Sequence, residues 1–335
     1  MRVDSPAARC LNERMRRTTF ARFAWAVLAF NLLVILWGAF VRASGSGAGC
    51  GNHWPLCNGA VVPPAPALAT LIEFGHRVTS ALALALIAGL ALGARRAFPR
   101  GHAVRLGAAL SALFIVSEAL IGAGLVLLEH VARDTSLARG YWVAGHLINT
   151  FLLIAALALT AWWAAGGGPP RLRGQGALGA LLGGALAALL LLGVSGAITA
   201  LGDTLFPLAT LAEGEALTFS PTAHAFVRLR IWHPALAAAV GLWLGLAAFA
   251  AARVRPAARR FALALVALYA AQLALGAVNV WLLAPIGIQL AHLLLSDLIW
   301  IALVLLSASA LAGEARDVEA AVPARHAAAG VVTGR

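Results

Sequence analysis

Eight long apolar runs, each close to the length that a helix needs to cross a membrane, recur along this 335-residue chain. They are rich in Leu and Ala and lack the period-two alternation of barrel strands, so they predict helices. Because 61% of the residues are hydrophobic and only 11% are charged, a water-soluble surface is excluded. The sequence therefore predicts an all-α integral membrane protein with eight transmembrane helices, near residues 23–41, 71–93, 106–128, 141–164, 177–199, 227–252, 261–283 and 288–312.

The arginines predict the orientation of these spans. The chain contains no lysine, and arginines concentrate before the first span and in the segments that follow the second, fourth and sixth spans. In a topology with eight transmembrane helices, all of these segments lie on the same side of the membrane. By the positive-inside rule that side is the cytoplasmic one. Both termini are therefore predicted to be cytoplasmic. The net charge of +12 is explained by this topology and requires no nucleic-acid partner.

The chain also contains an internal repeat. Residues with similar surroundings recur about 150 residues apart, at His76 and His233, at His146 and His292, and at Glu118 and Gln272. The repeat predicts two pseudo-symmetric four-helix bundles with the same orientation. The predicted segments are an N-terminal cytoplasmic segment 1–22, a first half 23–165, a Gly/Pro-rich linker 166–176, a second half 177–312 and a cytoplasmic tail 313–335.

Four histidines lie at the outer ends of the even-numbered spans. Ionisable residues inside spans are costly and usually face the bundle interior or a ligand. A single histidine of this kind is more often a packing residue, but one pair in each half suits bis-imidazole ligation of haem iron. Zinc or copper would bring carboxylates or thiols into the same clusters. His224, which precedes the sixth span, is an alternative ligand without a repeat mate.

Two carboxylates are further candidate residues. Glu73 lies on the same helical face as His76, one turn outward, and its repeat mate is Arg230, so it distinguishes the two halves. The alternative is an ordinary acid at a helix start. Glu118 lies deeper, where a carboxyl group is expected to be protonated or paired.

Cys50 and Cys57 lie in the first external loop, where a disulfide can form. A structural staple and a redox role both remain open for this pair. A zinc site that adds His53 is a weaker alternative because a fourth ligand is not evident.

Several motifs together resemble the haem A synthase family. They are Gly45-Ser46-Gly47-Ala48-Gly49-Cys50, Trp54-Pro55-Leu56-Cys57, Glu73-Phe74-Gly75-His76-Arg77, Gly145-His146-Leu147, His233-Pro234 and Gln289-Leu290-Ala291-His292-Leu293. The resemblance extends from the first span to the eighth. It implies an oxidoreductase of the bacterial cytoplasmic membrane that oxidises a ring methyl of haem O to a formyl group, making haem A for cytochrome oxidase.

The resemblance also implies a role for each candidate residue. His76 and His146 would hold the substrate haem, His233 and His292 would ligate a haem b cofactor, and Glu73 would be the catalytic carboxylate. Cys50 and Cys57 would form a disulfide, while the second cysteine pair of some relatives is absent. Haem O synthase, cytochrome oxidase assembly factors and a second copy of the chain are the partners it allows.

Two functions from other classes fit the pattern less well. A di-haem b-type electron-transfer cytochrome would also place four histidines in four helices, but it would need neither Glu73 nor the cysteine loop. A transporter would suit a parallel repeat but would need a polar path, for which the spans offer few residues.

Overall fold

The computed structural model describes residues 6–171 and 173–312. Within this part of the chain the protein is all-helical, and eight of its helical segments are long and apolar enough to cross a membrane. The predicted tail 313–335 and the first five residues of the predicted N-terminal segment lie outside the described residues. The predicted fold class is confirmed: the chain is a multi-pass α-helical membrane protein.

The first four spanning helices are α1, Pro6–Ala43; α2, Leu68–Ala97; α3, Ala103–Leu127; and α4, Leu137–Ala164. Three of the second four are α5, Gly176–Leu205; α9, Arg259–Trp281; and α10, Ile286–Leu311. The remaining one, the sixth span, is continuous but has three parts: α7, Ala225–Arg228; a 3-10 turn, Leu229–Ile231; and α8, Trp232–Val254. A short helix, α6, Leu211–Phe219, joins α5 to α7. We name the end of the bundle that carries the loop between α1 and α2 the disulfide face.

Helix packing groups the spans into two sets of four. In the first set α1 contacts α2 and α4, and α3 packs between α2 and α4. In the second set α5 contacts α8 and α10, and α9 packs between α8 and α10. The same arrangement in both sets is consistent with the predicted pair of pseudo-symmetric bundles.

The two sets meet along α4 and α10, which are the most buried spans of the protein. In the most apolar stretch of α4, half of the residues are buried inside the protein, and in that of α10 two thirds are buried. In each of the other spans the buried share is less than a third. The Phe151 ring stacks on Trp300 with centroids 5.1 Å apart, and the Trp300 indole N–H donates to the Phe151 carbonyl at 2.7 Å. Burial of aromatic side chains at this seam stabilises the docking of the halves.

The loop between α5 and α7 differs from the sequence-based expectation. The sequence analysis predicts no helix between the fifth and sixth spans, whereas the structure contains α6 there. Its start is capped by side chains, because the Thr210 hydroxyl accepts from Glu213 N at 3.1 Å and the Glu213 carboxylate accepts from Ala209 N at 2.8 Å. The predicted sixth span also begins with a separate turn, α7, capped by His224.

Candidate functional site

The four candidate histidines lie near the disulfide face, on α2, α4, α8 and α10. In the second half the His233 and His292 rings face one another, with centroids 6.4 Å apart and planes at 73°. A metal ion bound by both imidazoles, with metal–nitrogen bonds of about 2 Å, requires a similar separation. His233 Nδ1 lies 2.9 Å from the Ser195 hydroxyl, which orients the ring.

The first-half pair is held differently. His76 and His146 are close enough to interact electrostatically, and neither Nδ1 atom has a hydrogen-bond partner among the described residues. His146 Nδ1 lies 3.5 Å from the Glu118 carboxylate. Glu118 accepts from Asn149 Nδ2 at 2.6 Å and from the Thr150 hydroxyl, so the predicted pairing with polar neighbours is observed.

Glycines of two helices give the imidazole rings room. A Cβ atom at Gly38 of α1 would lie 2.8 Å from His76 Cε1, and one at Gly196 of α5 would lie 2.9 Å from His233 Cε1. Both distances are shorter than a carbon contact allows, so any larger residue would displace the ring. The two glycines occupy equivalent places in the two halves, which is again consistent with the predicted repeat.

Glu73 is buried beneath the disulfide loop. The residue is 4% exposed, one carboxylate oxygen accepts from Cys50 N at 2.9 Å, and the other is ion-paired with Arg77. Arg77 in turn donates to the carbonyls of His53 and Leu56, both at 2.7 Å. The Glu73–Arg77 pair therefore fixes the loop to α2, a role that the sequence did not reveal.

Cys50 and Cys57 form a disulfide in this loop. Both residues are buried, with 0% and 1% exposure. The zinc alternative is wrong for the described part of the chain, since it contains no group of three or more His, Cys, Asp or Glu that could hold a metal ion.

The burial of the disulfide predicts slow reduction in the folded protein. Thiolate attack needs access to a sulfur atom, so a thioredoxin-type protein will reduce this bond about tenfold or more slowly before unfolding than after it. The measurement is maleimide labelling followed by mass spectrometry, in a Cys10→Ser background that leaves only the loop pair. Equal rates in the folded and unfolded protein would contradict the structural-staple interpretation and favour a redox role.

The structure also resolves the expectation for His224. His224 is an unsuitable ligand, because its ring stacks on Phe206 at 5.0 Å and its Nδ1 accepts from Phe226 N at 3.2 Å. Asp297 is fully buried in α10. Neither of its carboxylate oxygens has a hydrogen-bond partner in the described residues.

Sequence reasoning did not identify Ser195 as the partner of His233. The signal available in the sequence is its position immediately before Gly196, the glycine that contacts the same ring. At the matching place in the first half stands Trp37, whose indole N–H donates to the Ile72 carbonyl at 3.0 Å. His233 therefore has a hydrogen-bond partner on α5, whereas Trp37 at the equivalent place on α1 bonds the backbone of α2 and not His76.

The chain also matches a known protein family. Residues 21–304 match the sequence profile of the COX15-CtaA family, described as cytochrome oxidase assembly protein. The chain belongs to this family. The match includes every helix from α2 to α9, and all four histidines.

Curated relatives of this COX15-CtaA family member carry two different names. A Thermus thermophilus protein named protoheme IX farnesyltransferase is 53% identical over 301 residues, which cover 89% of this chain and 50% of that protein. Heme A synthases of Halalkalibacterium halodurans and Exiguobacterium sp. are each 36% identical, over 127 and 138 residues. Those matches cover 38% and 40% of this chain and 42% and 45% of the relatives. The chain thus spans about half the length of the curated relatives it matches.

Proposed function

We propose that the protein is a haem A synthase, which oxidises a ring methyl of haem O to the formyl group of haem A. The observation that carries this proposal is the combination of two histidine pairs with an asymmetric carboxylate. Family membership and the heme A synthase names of the matched relatives support it. Glu73, which lies one turn from His76 and has Arg230 as its repeat mate, supplies an asymmetry that a symmetric di-haem cytochrome does not need.

The residues present fit haem in both halves. In the second half the facing imidazoles, 6.4 Å apart, suit a macrocycle ligated from both sides, and in each half a glycine makes room for one of the rings. His233 and His292 would hold a haem b cofactor, which supplies electron transfer when bound. His76 and His146 would hold the substrate haem.

The chain's own residues have distinct roles in this proposal. Ser195 orients His233 through its Nδ1 atom, whereas the Glu118 carboxylate lies 3.5 Å from His146 Nδ1. Glu73 holds a negative charge near the disulfide face of the first half, where it could accept a proton from water or stabilise a developing positive charge. The buried loop over Glu73 excludes bulk water from this carboxylate.

The setting of the reaction follows from the same proposal. We place the protein in the bacterial cytoplasmic membrane with both termini cytoplasmic, as the arginine distribution indicates. Haem O is the substrate, and the farnesyltransferase name of a relative twice as long supports a functional link to haem farnesylation. Haem O synthase, cytochrome oxidase assembly factors and a second copy of this chain are the proposed protein partners.

The test is to extract and separate the haem bound to protein purified from cells that also synthesise haem O. We expect haem b together with haem O, its hydroxylated form or haem A. Finding haem b alone, at two per chain, would contradict the proposal and favour the electron-transfer cytochrome.

A further inference from the structure

The guanidinium of Arg230 is buried with an unused donor. The side chain is only 10% exposed, its Nη2 donates to the Phe206 carbonyl at 2.9 Å, and its Nε lies 2.9 Å from the Asp203 carboxylate. Its Nη1 has no hydrogen-bond partner among the described residues. A buried charged group with a donor that has no acceptor is unfavourable in free energy. We therefore expect an anion to bind at this position.

Arg230 lies one helical turn from a candidate haem ligand. Arg230 precedes His233 by three residues, which places it on the same face of the sixth span, one turn nearer the disulfide face. Arg228, two residues earlier, is exposed and lies on a different face of the helical segment. Arg230 is therefore the guanidinium of this segment that is directed into the bundle.

A second arginine reinforces the positive charge at this place. Arg42, at the end of α1, reaches across from the first half and donates to the Ala200 carbonyl at 2.8 Å and to Gln289 Oε1 at 3.1 Å. Gln289 precedes His292 by three residues, so it too lies one turn from a haem ligand. Among Arg42, Arg230 and Asp203 one positive charge is left unbalanced inside the spanning region, where charge is costly unless paired.

We propose that Arg230, with Arg42 behind it, binds a propionate carboxylate of the haem that His233 and His292 hold. A guanidinium and a carboxylate form strong charge-assisted hydrogen bonds, and the carboxylate would supply both the missing acceptor and the missing negative charge. The proposal rests on haem binding in the second half, which belongs to the proposed function. It does not depend on the oxidation of haem O.

The two halves would then differ in how firmly they keep haem. The repeat mate of Arg230 is Glu73, whose carboxylate is taken up by Arg77 and by Cys50 N. At this position the first half offers a negative charge in place of a free guanidinium donor, so a propionate is not held there in the same way. The second half therefore retains its haem as a cofactor, whereas the first half exchanges haem as substrate and product.

The experiment measures haem release from the purified full-length protein to excess apomyoglobin by absorbance. We expect two phases, with the slow phase assigned to the second half by its loss in a His292→Ala variant. Arg230→Gln is expected to speed the slow phase about tenfold to hundredfold and to leave the fast phase unchanged. Arg228→Gln is the matched control and should change neither phase, and Arg230→Lys should restore part of the retention.

A second experiment identifies the anion and remains informative even if the Arg230→Gln variant folds poorly. The wild-type protein is loaded with iron protoporphyrin IX or with its dimethyl ester, which lacks the carboxylates. Tighter retention of the free acid, and loss of that preference in Arg230→Lys or Arg230→Gln, would support the proposal. Equal retention of the acid and the ester, or a slow phase that responds to added phosphatidylglycerol but not to esterification, would overturn it in favour of a lipid headgroup. Neither arm measures haem A formation, so failure here is distinct from failure of the proposed function.

Discussion

Glu73→Gln is expected to lower haem A formation by about 100-fold or more while both haem-binding halves remain occupied. The amide keeps an oxygen that can accept from Cys50 N, so the loop anchor of 2.9 Å can persist. It removes the negative charge, and with it proton acceptance and the stabilisation of positive charge in the first half. The measurement is the yield of haem A and of its hydroxylated precursor per bound haem, by extraction and chromatography.

The control for Glu73→Gln is Arg77→Gln. Arg77 ties the loop down through the carbonyls of His53 and Leu56, and it carries the ion pair to Glu73. Its replacement loosens the loop but leaves the carboxylate in place. If Glu73 serves only to anchor the loop, the two variants will lose activity to the same degree. We expect Arg77→Gln to retain clearly more activity than Glu73→Gln and to make the disulfide easier to reduce.

The spanning helices and the histidine pairs could be predicted from sequence because each depends on local information. Apolar runs of about 20 residues have few folded alternatives to a membrane helix. The repeat then places His76 with His146 and His233 with His292, because equivalent helices pack alike. The separation of the second pair, 6.4 Å between ring centroids, agrees with the ligand arrangement that the sequence suggests.

The contacts that distinguish the halves could not be predicted, because they join residues far apart in the chain. Arg42 reaches Gln289 across 247 positions, and no pattern within one span indicates that contact. The partners of Glu73 also depend on the path of a loop that passes over α2. Helix α6 was missed although its Thr-x-x-Glu start is visible, because a nine-residue helix is too short to give a clear apolar period.

Replacing one histidine of each pair is expected to change haem binding in one half only. His292→Ala leaves His233 as a single ligand in the second half, and His146→Ala leaves His76 alone in the first. A haem iron bound by two imidazoles is low-spin, and loss of one imidazole opens a coordination position and weakens binding. Each variant should therefore lose about half of the low-spin signal in electron paramagnetic resonance, and haem content should fall by up to about half.

His224→Ala is the control for these variants, because His224 stacks on Phe206 and caps α7 at the same face without facing either pair. We expect it to keep both low-spin signals. The two ligand variants also separate the proposed roles of the halves: His146→Ala should remove bound haem O and its oxidised products, whereas His292→Ala should remove haem b. If His146→Ala removed haem b instead, the substrate and cofactor halves would be exchanged. In that case Glu73 would lie beside the cofactor, and its proposed role in oxidising the methyl group would be wrong.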